Sequence, residues 1–380
     1  MTSFDVGIVG LGAMGSMAAL ELARRGRRVI GFDRFRPPHP FGSSHGKSRI
    51  IREAYFEHPQ YVPLVRRAYD RWRELERDSG LPLLLPTGGL MIGPLDGTLV
   101  AGARRSAEQH GLPYEVLGAS LVRERFPIFE PGEGEVGLWE PRAGVLYPEV
   151  AVESALRLAQ AAGAELRYEE PVLSWSGGEA ITLRTAAGHW RVERVILAAG
   201  AWMAGGLARR ELPLRVARQT LFWFDSAAAA SVTAPERMPI FIWEWAPQRM
   251  FYGFPDLGEG VKLAIHHEGE DCDPAQVRRT VYPEEADQLR ELIHSRMPRL
   301  TGALRQSTVC LYTNTPDGDF ILDRHPDDPR VVLASPCSGH GFKFAPAIGE
   351  ALADLIEEKP TSFDLSPFRL ARFEGKPPSP

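Results

Sequence analysis

The chain has 380 residues, enough for two domains, and its 44% hydrophobic and 24% charged content is that of an ordinary globular protein. A net charge of −5 gives no electrostatic ground for nucleic-acid binding, and no apolar run approaches the length of a membrane span. Three cysteines, at 272, 310 and 337, suit neither a disulfide framework nor a zinc site, so no metal is expected. The first five residues do not read as a signal peptide, and the closing Gly-Lys-Pro-Pro-Ser-Pro is not a peroxisomal address. The cytoplasm is the default compartment.

The elements begin with an apolar strand at 4–10 that runs into Gly10-Leu-Gly12-Ala-Met-Gly15. An Ala- and Leu-rich helix follows over 16–25, closed by Gly26, and a second strand at 28–32 ends at Asp33. In this unit Gly10 permits the tight turn, Gly12 lets a pyrophosphate approach the backbone, and Gly15 lets helix and strand pack closely. The helix N-terminus favours the diphosphate, and Asp33 is placed to accept hydrogen bonds from a ribose. Strand, glycines, helix, strand and acid together predict a Rossmann-type dinucleotide site. FAD and NAD(P) both fit it.

A Pro- and Gly-rich loop occupies 34–48, with an amphipathic helix beyond Tyr61. A turn and strand are expected near 84–93, a helix at 148–162, and strands near 164–168, 181–186 and 190–199. Segments 215–225, 238–245, 249–255 and 261–266 read as strands of an antiparallel sheet. A last strand at 331–334 precedes a helix from Ala345 to about Glu358. The fold class is therefore α/β, with a Rossmann-type domain and a second domain on an antiparallel sheet. The nucleotide domain is expected at 1–85, 147–215 and 308–380, interrupted by a substrate domain at 86–146 and 216–307. Such a sheet argues against an NAD(P)-dependent 3-hydroxyacid dehydrogenase, whose second domain is helical.

Of 44 basic residues, 39 are Arg and only five are Lys. Lys359 and Lys376 lie near the C-terminus and read as surface residues. Lys47, Lys262 and Lys343 fall within the motifs that follow.

Gly-Ser-Ser-His-Gly-Lys-Ser-Arg-Ile-Ile-Arg-Glu-Ala-Tyr (42–55), Val-Cys-Leu-Tyr-Thr (309–313) and Ser-Gly-His-Gly-Phe-Lys (338–343) resemble the monomeric sarcosine oxidase and N-methyltryptophan oxidase family. Val-Ile-Leu-Ala-Ala-Gly-Ala-Trp (195–202) and Tyr-Gly-Phe-Pro (252–255) extend the resemblance along nearly the whole chain. It implies a monomeric FAD enzyme that oxidises the C–N bond of a small secondary amino acid to an imine and reduces O2 to H2O2. By resemblance, Arg52 and Lys343 bind the substrate carboxylate. Arg49 packs over the flavin, and Lys262 lies at the flavin's reactive edge, where its charge favours electron transfer to O2. Cys310 carries FAD through a thioether, with Cys337 the second candidate.

Alternation in the strand 261–266 places Lys262, Ala264 and His266 on one face, so His266 is expected to tune binding. Tyr252 and Tyr312 are expected around the substrate's alkyl group. Ser44, His45, Gly200, Gly339, Gly341 and Phe342 complete the expected cofactor site. Ile242 and the Trp243-Glu-Trp245 run are expected to shape the pocket. Lys47 has no assigned part. The other readings are a flavin dehydrogenase with a different electron acceptor and a flavin-binding protein without activity.

Overall fold

The structure is a computed structural model that describes residues 3–374. The readings made of the N-terminal start and of the C-terminal segment with Lys376 therefore extend outside the described residues.

The first strand, Ser3–Val9, is wholly apolar inside, and the helix Ala13–Arg24 starts directly after Gly12. The helix begins three residues earlier than expected because Gly12 is itself its N-terminal boundary. Ser3–Val9 pairs in parallel with Val29–Phe32 and with His189–Leu197, giving the centre of an eight-stranded sheet. Glu165–Arg167 extends it on one side and Asp328–Ser335 on the other, both in parallel. Helices Ala13–Arg24, Tyr61–Ser79, Pro148–Ala161 and Ala345–Ile356 cluster with this sheet in the main core.

Proximity in this layer is set by small residues. A Cβ on Gly349 would stand 2.7 Å from the Met17 backbone carbonyl carbon, so the first and last long helices touch nearly backbone to backbone. Arg25 then closes their ends, donating to Asp354 at 2.7 Å and to Glu357 at 2.9 Å.

The second sheet has nine strands, ordered from Glu270–Asp271 through Arg215–Phe224, Val261–His266, Arg249–Phe254, Ile240–Ala246, Gly89–Pro94 and Glu135–Glu140 to Glu115–Gly118. The ninth, Leu304–Asn314, lies along Arg215–Phe224. Pairing is antiparallel except between Ile240–Ala246 and Gly89–Pro94. This one parallel junction joins two chain segments about 150 residues apart, which no hairpin could connect.

The turn and strand expected near 84–93 are present as the turn at Gly88, φ +70, and the strand Gly89–Pro94, with a further short strand, Leu84–Pro86, before the turn. The boundary at 307/308 cuts through Leu304–Asn314, which pairs along its length with Arg215–Phe224 of the second sheet. Residues 308–314, Cys310 among them, therefore belong with that sheet.

A third, three-stranded sheet joins Arg49–Ile51, Gly144–Leu146 and Leu84–Pro86. It holds the segment carrying Arg49 and Arg52 where the two larger sheets meet.

Candidate active site

A cavity of about 500 Å³ runs from the glycine turn of the first sheet to one face of the second. At the first end, a Cβ on Gly10 would meet the Ala198 carbonyl oxygen at 2.5 Å, and one on Gly15 would meet the Gly10 oxygen at 1.8 Å. Both glycines are demanded by the protein itself. At Gly12 the nearest atom would be Ser44 Oγ at 3.5 Å, ordinary contact, so nothing in the protein requires glycine there. That vacant approach suits a ligand pressed onto the turn.

Asp33 accepts from the Leu11 N–H at 2.8 Å and from the Phe35 N–H at 2.9 Å, and its carboxylate retains lone pairs on the cavity side. Ser44 Oγ accepts from the Ala13 N–H, the first of the helix, at 3.2 Å. Gly200, at φ +54 and with open space around its Cα, completes this end. An elongated dinucleotide such as FAD fits these residues.

At the second end, strand register sorts the candidates by face. Ile242 is opposite Tyr252, Tyr252 opposite Ala264, and Lys262 opposite both Phe254 and Trp223. Registered partners share a face. Cys310 and Tyr312 reach the same face from Leu304–Asn314, and Ile242, Tyr252, His266, Cys310 and Tyr312 all line the cavity. Tyr252 and Tyr312 stand with their hydroxyls 3.3 Å apart. Trp243 and Trp245 point the other way, into the core with Phe129, Phe241 and Phe251. The expectation that they shape the pocket fails because alternation sends them through the sheet.

Lys262 is on the cavity side but does not reach the cavity wall. It is 2% exposed, and its Nζ donates to the Gly46 carbonyl at 2.6 Å and to the Ser48 carbonyl and Oγ at 3.0 Å. Burial and the nearby Arg49 hold its pKa well below the ordinary lysine value. His45 is also withdrawn from the wall, and its Nε2 has no partner. Burial, with Arg49 and Lys262 beside it, lowers its pKa to about 3, so it is neutral. Glu149 accepts from the Gly46 and Lys47 N–H groups, pinning this loop. Lys47 itself faces solvent and pairs with Glu259.

Arg49 Nη2 lies 3.6 Å from Cys310 Sγ. Cys337 lines the same cavity, but burial pushes its thiol up to about 11.

Between the sheets lies a cluster of charges. Lys343, 5% exposed, donates to the His340 carbonyl at 2.6 Å, and burial with Arg52 nearby lowers its pKa to about 7. Arg52 sits over the Tyr55 ring at 4.2 Å and the Lys343 ammonium is 5.1 Å from that ring. The Arg52 guanidinium already has a carboxylate partner. Its Nη2 donates to both oxygens of Glu57, at 2.8 and 2.6 Å. Burial works against the Glu57 charge, but Arg52, His340 and Lys343 together outweigh it and hold the carboxyl below its ordinary pKa.

Tyr55 Oη and His340 Nδ1 are 2.5 Å apart. Gly339 and Gly341 turn the chain here. A Cβ on the first would strike Tyr312 at 2.6 Å, and one on the second the Pro336 carbonyl at 1.7 Å. Phe342 stacks on Trp72. Tyr55 and His340 lie inside the motifs without having drawn a role, while Glu57 follows its motif as one acid among 49 acidic residues and carries no signal.

The FAD dependent oxidoreductase (DAO) family matches residues 5–355. This chain belongs to that family. It is thus an FAD-dependent oxidoreductase, and the nicotinamide and non-enzymatic readings fall. It is 40% identical over 380 residues to monomeric sarcosine oxidase of Streptomyces avermitilis, covering 99% of each chain. It is 34% identical over 373 residues to N-methyl-L-tryptophan oxidase of Yersinia pestis, covering 97% of this chain and 99% of that one. Among solved structures, NikD, an unusual amino acid oxidase essential for nikkomycin biosynthesis, superposes with a TM-score of 0.86 at 25% identity. That match covers 97% of this chain and 98% of NikD.

Proposed function

We propose that this enzyme oxidises the C–N bond of a small secondary amino acid, sarcosine-like or a cyclic imino acid, with O2 as the electron acceptor. The observation that carries the reading is the convergence of two buried cations, Arg52 and Lys343, on one end of the cavity. Two buried positive charges flanking one aromatic ring call for a carboxylate to compensate them. Glu57 meets Arg52 through Nη2, and the substrate carboxylate supplies the second negative charge that Arg52 and Lys343 share. Ile242, Tyr252 and Tyr312 then surround the alkyl end, and neutral His266 adds no charge there. Burial holds its pKa well below the ordinary histidine value.

Bound FAD supplies a two-electron acceptor and, once reduced, the reductant for O2. Gly12, Ser44, Asp33 and Gly200 hold it. Lys262 Nζ, held by the Gly46 and Ser48 carbonyls beneath the loop 46–48, presents N–H donors that favour negative charge developing on O2. No residue is assigned as a base, because an amine bound in its neutral form needs none.

Cys310 is the attachment point for FAD. Its Sγ lies 3.6 Å from Arg49 Nη2 on the cavity face of the second sheet, whereas burial raises the Cys337 thiol and makes it a poor nucleophile. Acid precipitation tests this. Yellow colour stays with wild-type protein and leaves with Cys310→Ser, and retention in the serine variant assigns the link elsewhere. The working unit is a monomer, a reading supported by the name of the 40%-identical relative. Steady production of H2O2 from an N-methyl amino acid tests the reaction. Bleaching by that amino acid without peroxide, but with dye reduction, would make the enzyme a dehydrogenase.

A further inference from the structure

Arg52 has a second support that lies outside the cavity. Glu140, the last residue of Glu135–Glu140, is 1% exposed. Its Oε1 accepts from the Glu53 N–H at 2.5 Å and its Oε2 from the Ala54 N–H at 2.9 Å. The Ala54 carbonyl in turn accepts from Arg52 Nη1 at 3.0 Å. Ala54 is thus held through its N–H by Glu140, and through its carbonyl it holds the Arg52 head. The Tyr55 ring, next along the chain, lies under the guanidinium.

We propose that Glu140 is a positioning residue for substrate carboxylate binding, fixing the Glu53–Ala54 backbone so that Arg52 and Tyr55 keep their places at the cavity. The proposal rests on the reading that Arg52 receives the carboxylate. A carboxylate spent on two backbone donors, with no side-chain cation bonded to it, makes sense where a loop must be held in one register. Its charge makes both bonds strong.

The groups facing Glu140 are Arg52 and Glu53 on the held segment and Tyr69 on the helix Tyr61–Ser79. Arg66 and Asp70, on the same helix as Tyr69, act on Glu53. Glu53 has one oxygen 3.3 Å from Arg142 Nε and the other without a partner. Burial, aided by Glu53, pushes Glu140 up to about 7. Above that pH both oxygens accept. Below it one becomes a hydroxyl and the grip on the loop weakens.

The test is calorimetric titration of the FAD-loaded enzyme with acetate from pH 5.5 to 9. Wild-type affinity should fall on the acid side. Glu140→Gln puts an amide N–H against a backbone N–H, so affinity should drop roughly tenfold at pH 8 and lose its acid-side dependence. Glu53→Gln removes the neighbouring negative charge and should move the acid limb to lower pH, which carries the test even if the Glu140 variant does not fold. Glu140→Gln binding acetate like wild type at every pH would overturn the proposal, as would an unmoved limb in Glu53→Gln. Arg52→Ala separates the two layers. If it binds acetate as wild type does, the carboxylate reading itself fails; if it loses affinity while Glu140→Gln does not, only the positioning role fails.

Discussion

The two ends of the cavity are built in opposite ways. The dinucleotide end is built mainly on one stretch, residues 4–33, with Ser44 and Gly200 added from farther along the chain, and its geometry is fixed largely by backbone contacts: Gly15 against the Gly10 oxygen, and Asp33 on the Leu11 N–H. The catalytic end draws on segments near 49–57, 242–266, 310–313 and 337–343, and is fixed by side chains meeting across sheets. A site built this way tolerates no side chain at Gly10 or Gly15. An assembled site loses function piece by piece.

The largest effect expected from this contrast is at Gly15. Gly15→Ala places a methyl into backbone that cannot move aside, costing several kcal/mol and with it FAD retention. Recovery of a stably yellow variant with unchanged melting temperature would break the comparison. Lys262→Met should slow reoxidation by O2 by about 10²-fold or more while leaving reduction by substrate within a few-fold, as stopped-flow traces of the two half-reactions would show. Equal slowing of both would remove Lys262 from oxygen chemistry.

Next is Arg52→Met, expected to raise KM by about 30–100-fold, in line with 2–3 kcal/mol for truncating one side of a buried charge interaction. The pH dependence at Lys343 is gentler. Its pKa, lowered from 10.5 to about 7, leaves the ammonium charged below neutrality. Carboxylate affinity should therefore decline as pH rises past about 7, and Lys343→Met should flatten that alkaline limb. Stability runs the opposite way. The unfolded chain binds the extra proton between about 7 and 10.5, so this group's contribution to stability rises with pH across that window. The smallest effect separates two neighbours. Ile242→Ala should change the ranking of N-alkyl substrates, whereas Trp245→Phe should leave it unchanged.

What was legible in the sequence follows the same division. Turn, helix and acid at 10–33 are read locally, since each residue's reason lies within a few positions. The face shared by Lys262 and His266 followed from alternation alone. Alternation applied to Ile242 would equally have sent Trp243 to the far side. Glu57 and Glu140 were invisible because their meaning is a partner: the Arg52 head in one case, the Ala54 N–H in the other. The path of Leu304–Asn314 was hidden for a related reason. Its partner, Arg215–Phe224, begins 80 or more residues earlier, and no turn signal links them.

The tryptophans sent through the second sheet leave that sheet with separate duties on its two sides. One side carries the packing on which folding depends, with Trp243, Phe241, Phe251 and Leu263 fully buried. The other presents Ile242, Tyr252 and His266 to whatever occupies the cavity. Mutations on the second side can accumulate without eroding the first. A lineage built on such a sheet can exchange one amine substrate for another by single steps, each starting from a protein that still folds.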